Sequence, residues 1–196
     1  LPTLITVRGQ TQRLEEGIRT RMELASLSSI YSLGHSKPEL LMEIGGLQGD
    51  MLQHMTFENF KLGRGVRGTK EQREGLKFAF DMANSFAESP KGWLFFTGLH
   101  GCGKTHLAVS IINEKLKKGQ PAFFAFVPAL LDHLRGAFKP DSLTGYDELF
   151  EQVKTAPLLV LDDLASELST PWAEEKLFQI IVHRHNAHLP TVVTSN

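Results

Sequence analysis

Residues 98–105 read Gly-Leu-His-Gly-Cys-Gly-Lys-Thr, which satisfies G-x-x-x-x-G-K-[ST]. Each fixed position answers a physical need. Gly98, Gly101 and Gly103 let the backbone turn through positive φ and approach an anion with no Cβ in the way. Their amides, with those of Cys102 and His106, face a phosphate chain, Lys104 brings a mobile charge to the β- and γ-phosphates, and Thr105 offers a hydroxyl to Mg2+. The flanks decide whether this is more than a glycine-rich turn. Trp93-Leu94-Phe95-Phe96-Thr97 before it is a short apolar strand, and His106 to Lys118 after it carries Leu107, Ala108, Ile111, Ile112 and Leu116 on one helical face, with Gly119 as a stop. Strand, loop and helix form the context that a phosphate loop requires, and the expected ligands are ATP or ADP with Mg2+.

The rest of the chain alternates. Residues 69–88 read as a helix, with Leu76, Phe78, Ala79, Met82, Ala83 and Phe86 as its buried side. Ala122 to Val127 is a strand, Pro128 to Phe138 a helix with proline in its first turn, Tyr146 to Lys154 a helix, and Pro157 to Leu161 a strand. Pro171 to His188 is a long helix opened by Ser169-Thr170-Pro171, and Thr191 to Thr194 is a last strand. Alternation of this kind predicts an α/β fold with a parallel, doubly wound sheet. Upstream, Gln10 to Leu27 reads as a solvated amphipathic helix, and residues 28–55, with Gly34, Pro38, Gly45, Gly46 and Gly49, as loop or linker. The organisation expected is an N-terminal extension over 1–54 and a nucleotide-binding core over 55–196.

Leu158-Leu159-Val160-Leu161-Asp162-Asp163 is an aliphatic strand ending in two carboxylates. A buried parallel strand delivers its carboxyl end to the ligand crevice, so Asp162 is placed to hold the metal shell and Asp163 to polarise an attacking water. Thr194-Ser195-Asn196 closes the next apolar strand and could reach the γ-phosphate or the same water; taken alone, a strand-ending turn is the better explanation.

Composition narrows the function classes. A chain of 196 residues, 41% hydrophobic and 22% charged, is ordinary soluble globular material with one core. With net charge −1, any nucleic-acid contact must come from a local patch. A single cysteine excludes an internal disulfide and fits a reducing, cytoplasmic setting. The longest apolar run, Pro121 to Leu131, is too short to cross a bilayer, no signal peptide is visible, and no membrane association is expected. The absence of Met at position 1 points to a fragment or a processed chain.

Gly-Leu-His-Gly-Cys-Gly-Lys-Thr-His-Leu-Ala, Pro-Leu-Leu-Val-Leu-Asp-Asp-Leu and Leu-Pro-Thr-Val-Val-Thr-Ser-Asn together resemble the AAA+ P-loop ATPases of the DnaC/IstB kind, which are bacterial replicative-helicase loaders and ATPase partners of certain transposases. Met-Thr-Phe-Glu-Asn-Phe at 55–60 and Trp172 through Asn186 extend the likeness over roughly 55–196. The resemblance implies that Lys104 and Thr105 are the Walker A pair, Asp162 and Asp163 Walker B, and Asn196 sensor 1, with Thr194 as a second candidate for that role. It places Phe57 and Phe60 near the adenine, where core packing is an even alternative. It also implies a homo-oligomer working on single-stranded DNA and a replicative DNA helicase. The family module continues with an arginine finger, a fifth strand and a helical lid, whereas this chain stops at Asn196 and Arg184 lacks the finger's spacing. The expectation is therefore ATPase activity in the full-length protein, slow turnover by this chain, and an open sheet edge at Trp93–Thr97 that invites self-association. The alternatives are an IstB-type transposition ATPase, a nucleotide-gated adaptor that hydrolyses little, and, disfavoured by Asp162-Asp163, a P-loop kinase.

Lys61 to Lys77 is the most basic stretch, with Lys61, Arg64, Arg67, Lys70, Arg73 and Lys77 against Glu71 and Glu74. A DNA-following loop and a solvated helix entry compete there. Arg135, Phe138 and Lys139 form a second, weaker candidate for DNA contact. His183, His185 and His188 read as surface histidines, because residues two apart on a helix face opposite sides. Cys102 reads as a small residue that fits its loop.

Overall fold

The computed structural model describes residues 6–10 by their backbone, and residues 49–62, 69–136, 146–164 and 170–196. The expected helix over 11–27, the linker over 28–48, Arg64 and Arg67 of the basic stretch, and Phe138, Lys139 and Ser169 lie outside the described residues.

The elements in order are β1 (Thr6–Gln10), α1 (Gly49–His54), α2 (Lys70–Glu88), β2 (Trp93–Thr97), α3 (Lys104–Lys117), β3 (Phe123–Phe126), α4 (Val127–Gly136), α5 (Tyr146–Thr155), β4 (Leu159–Asp162), α6 (Pro171–Asn186) and β5 (Thr191–Ser195). The sheet runs β1-β2-β5-β4-β3, parallel throughout except for β1. The structure departs from the sequence expectation in more than element bounds. Phe78, read as part of the buried side of α2, is 54% exposed, because the face that meets the core is that of Ala79, Ala83, Phe86 and Ala87. Residues 49–54 form a helix where a loop was expected, because Met51 and Leu52 pack on the core beside α3. The edge of β2 is not open: Thr6–Gln10 pairs with it antiparallel, from Thr6 opposite Thr97 to Gln10 opposite Trp93, so Gln10 is in a strand, not the start of a helix.

Alternation along the strands builds two cores, one on each face of the sheet. Leu94, Phe96, Phe124, Val160 and Val192 point to α2 and α3, where they meet Ala79, Ala83, Phe86, Leu107, Ile111 and Ile112. Phe123, Ala125, Leu159, Leu161 and Val193 point the other way, to Leu130, Leu134, Leu149, Val153, Leu177 and Ile180 of α4, α5 and α6. The helix starts are set locally. Thr69 and Gln72 form a capping box at α2, with the Thr69 amide donating to Gln72 Oε1 at 2.7 Å. Thr170 caps α6, with Pro171 in its first turn.

Arg184 is completely buried and ties the lower, amino-terminal rim of the sheet together. Its guanidinium donates to the carbonyls of Lys154 (3.0 Å), Ala156 (2.8 Å) and Pro190 (2.6 Å), and its Nε to Thr191 Oγ1 (2.9 Å). These carbonyls lie at the end of α5 and just before β4 and β5, so the guanidinium serves as a cap in the sense that cations favour helix C-termini. Burial pulls it well below the ordinary guanidinium range, to about 9, which leaves it charged at neutral pH.

Candidate functional site

The parallel register gathers the site. Thr97 of β2 lies opposite Ser195 of β5, and Leu161 of β4 opposite Val193 of β5. The residues just past those pairs, Gly98, Asp162 with Asp163, and Asn196, therefore share the carboxyl rim, as ligand-binding residues do in doubly wound sheets.

The loop from Gly98 to Gly103 turns into α3 through two left-handed glycines, Gly101 at φ +74 and Gly103 at φ +98. Cys102 is half-buried between them, and its amide donates to the Leu99 carbonyl at 3.4 Å. Gly103 is needed twice. Its φ belongs to glycine, and a Cβ there would stand 2.8 Å from Cε2 of Phe60. That ring lies edge-on to the His106 imidazole, 5.0 Å between centroids, and 5.7 Å from Phe80. Phe60 is thus at the loop, whereas Phe57 is buried in the core against Phe80 at 5.4 Å.

Two polar chains run from the loop to the strand ends. In the first, Thr105 Oγ1 meets both carboxylate oxygens of Asp162, at 3.0 and 3.1 Å, and Thr194 Oγ1 donates to Asp162 Oδ1 at 2.7 Å. In the second, Lys104 Nζ donates to the Gly98 carbonyl (2.9 Å), the Leu99 carbonyl (3.0 Å) and Asn196 Oδ1 (2.8 Å), with Cys102 Sγ at 4.0 Å. Asn196 Nδ2 donates onward to Asp163 Oδ1 at 3.0 Å. Asp163 itself sits at φ +58, uncommon for a residue with a side chain. It is held there from β5: its amide donates to Thr194 Oγ1 at 2.9 Å, and the Leu164 amide to the Thr194 carbonyl at 2.9 Å.

Electrostatics set Asp162 apart. Burial raises its carboxyl above the ordinary 3.8, the hydrogen bonds from Thr194 and Thr105 pull it back, Asp163 pushes it up and Lys104 lowers it. A buried carboxylate that burial disfavours, touching a threonine hydroxyl, is a hard oxygen pair matched to Mg2+. Among the described residues no group of three or more His, Cys, Asp or Glu side chains gathers as a metal site.

The structure thus brings together Gly98, Gly101, Cys102, Gly103, Lys104, Thr105, Asp162, Asp163 and Asn196. His106 is adjacent but its ring turns away from the loop, its Nε2 2.9 Å from the Thr56 carbonyl. Sequence reasoning missed what that contact belongs to. His106, Ser110 and Asn113, spaced i, i+4, i+7 on α3, hold the carbonyls of Leu52, Met55 and Thr56. Polar residues at helical spacing inside an apolar helix were the available signal. Arg184 lies at the opposite rim of the sheet and has no access to this site. Of the basic candidates, Lys70 and Lys77 pair with Glu74 and Asp81, and Arg135 lies 5.0 Å from the Trp172 ring centroid, beside Asp132.

Comparison with known proteins agrees with this geometry. The sequence model of the family described as IstB-like ATP binding protein matches residues 77–196. The replicative helicase loader DnaI of Bacillus subtilis (strain 168) is 32% identical over 118 residues, covering 59% of this chain and 37% of DnaI. The replicative helicase loader DnaC of Escherichia coli (strain K12) is 26% identical over 147 residues, 74% of this chain and 56% of DnaC. The chain therefore spans only part of the length of these relatives. A solved DnaC helicase loader superposes with a TM-score of 0.53 at 30% identity, covering 71% of this chain and 78% of that one. No described helix is long and apolar enough to cross a membrane. With an AAA+ P-loop fold and a matched family domain that includes the loop, both strand-end carboxylates and Asn196, the chain belongs to the IstB-like ATP binding protein family.

Proposed function

We propose that this chain binds Mg-ATP across Gly98–Thr105 and uses the nucleotide to control assembly, as a homo-oligomer, on single-stranded DNA and a replicative DNA helicase. The observation that carries the nucleotide half is the pairing of Thr105 with Asp162 beside the Lys104–Asn196–Asp163 chain. The helicase half rests on the likeness to DnaI and DnaC, both replicative helicase loaders. Thr105 and Asp162 would hold the metal, which supplies charge neutralisation on the phosphate oxygens. Lys104 would leave its carbonyl acceptors for the β- and γ-phosphates, and the loop amides would cradle the remaining oxygens. Asp163 would orient and polarise the attacking water, with Asn196 fixing the carboxylate that does so. Within the 1–54 segment, Thr6–Gln10 and Gly49–His54 would serve the core itself, as edge strand and docked helix.

The description of the family favours a second reading, an IstB-type transposition ATPase that meets duplex DNA and a transposase. Both share the nucleotide site and part at the partner. The test is capture of purified replicative helicase on immobilised chain with ATP, ADP or neither, using Lys104→Ala as control. Nucleotide-dependent capture that K104A loses supports the loader reading. Absence of capture in all three states, with nucleotide binding intact, removes the helicase and leaves the transposition reading.

A further inference from the structure

We propose that Thr194 is a positioning residue that aims both strand-end carboxylates, and that its hydroxyl sets the affinity of this site for Mg2+. The inference rests on the nucleotide reading above and names a residue that does not itself touch nucleotide. Thr194 Oγ1 is nearly inaccessible, the residue being 1% exposed. It accepts from the Asp163 amide at 2.9 Å, so its one proton is directed to Asp162 Oδ1, 2.7 Å away. A single oxygen thereby fixes two things. It holds the Asp162 carboxylate in the orientation that keeps both oxygens within 3.1 Å of Thr105 Oγ1. It also anchors the amide of Asp163 in its left-handed conformation, the geometry from which Asp163 Oδ1 reaches Asn196 Nδ2. The Thr194 carbonyl adds the Leu164 amide, so one residue of β5 clamps the whole turn after β4. A strand position facing the core needs only an apolar or β-branched side chain, and Val192 and Val193 show what the pattern would otherwise place there. The hydroxyl serves the carboxylates.

The test is Thr194→Val, which keeps shape and strand propensity while deleting the oxygen, beside Thr194→Ser, which keeps the oxygen. ADP binding is followed by fluorescent-nucleotide displacement, first in EDTA and then at fixed nucleotide with increasing Mg2+. Removing the partner that orients a metal ligand typically lowers metal affinity about 10–100-fold. The expected result for T194V is a rise of about that size in the Mg2+ concentration for half effect, with ADP affinity in EDTA within about twofold of the parent. T194S is expected to restore the Mg2+ response. A parent-like Mg2+ response in folded T194V overturns the proposal, as does an equal loss of affinity with and without Mg2+, which a merely structural role would give. If T194V fails to fold, T194A deletes the same oxygen and carries the same expectation, while a T194S with a response as poor as either also overturns it. Failure of the parent to bind ADP at all would instead strike the nucleotide reading, so the two failures are distinguishable.

Discussion

Gly101 and Gly103 invite the same substitution and should not respond alike. Both have left-handed φ, which costs a residue with a Cβ roughly 1–2 kcal/mol. A Cβ at Gly101 meets nothing within 4 Å, so Gly101→Ala carries the backbone term alone. A Cβ at Gly103 would stand 2.8 Å from Phe60 Cε2 and 3.1 Å from Cζ. Phe60 is half-buried, and its contacts with His106 and Phe80 limit its retreat on those two sides. Overpacking of this kind adds about 1–3 kcal/mol, so Gly103→Ala should lose about 2–5 kcal/mol in all. For a chain of this size each kcal/mol is about 2–4 °C in Tm, and the two alanine variants should separate by at least about 2 °C in nucleotide-free thermal melts followed by circular dichroism. The cause is isolated by Phe60→Ala. Placed on G103A it should recover part of the loss beyond additivity, with a coupling of about 0.5–3 kcal/mol, and placed on G101A it should recover none. Equal losses for the two glycines, with no coupling between 103 and 60, would refute the steric account of the loop.

Asp162→Asn should raise the Tm of the nucleotide-free protein while abolishing Mg2+-dependent stabilisation by ADP. Because burial raises the folded-state carboxyl above 3.8, the fold holds that proton more tightly than the unfolded chain does. Its contribution to stability is greatest at acid pH and declines as pH rises from 3.8 through the raised value, so at neutral pH the charge is a cost that Asn removes; a lower Tm for D162N counts against this. Arg184→Met should cost more than about 3 kcal/mol in urea unfolding, since the carbonyls of Lys154, Ala156 and Pro190 lose their donor in a buried place, and a loss under about 1 kcal/mol would contradict that role. Asn113→Ala should speed hydrogen exchange at the Met55 amide, which closes α1, because the carbonyls of Leu52 and Met55 lose the side chain that docks them on α3.

The alternating core was legible because each strand is a short apolar run delimited by turn residues, and the two faces of the sheet follow from period two. The loop was legible because its chemistry requires particular residues at fixed spacing. Asp162 and Asn196 were legible as strand-end polar residues, but their joining to Thr105 and Lys104 depends on the order β2-β5-β4, which no local pattern encodes. The same holds for β1. Thr6–Gln10 earns its place only by pairing with β2, a long-range contact without local signature. Spacing alone sets Arg184 aside as a finger; its role as a cap, buried among carbonyls at the far rim, depends on α5, β4 and β5 meeting there. Thr194 reads in the sequence as a strand end or a second sensor candidate beside Asn196, and its two hydrogen bonds, to Asp162 and Asp163, become visible only once β4 and β5 are neighbours.

The central claim is that Gly98–Thr105 and Asp162 form a magnesium-nucleotide site. Calorimetric titration of ADP into the chain with Mg2+, repeated with Lys104→Ala, tests it most directly. The account predicts saturable one-to-one binding by the parent and a loss of affinity of about 100-fold or more in K104A, the equivalent of about 2.7 kcal/mol. No heat of binding from a folded parent, or equal affinity in the two proteins, would contradict it.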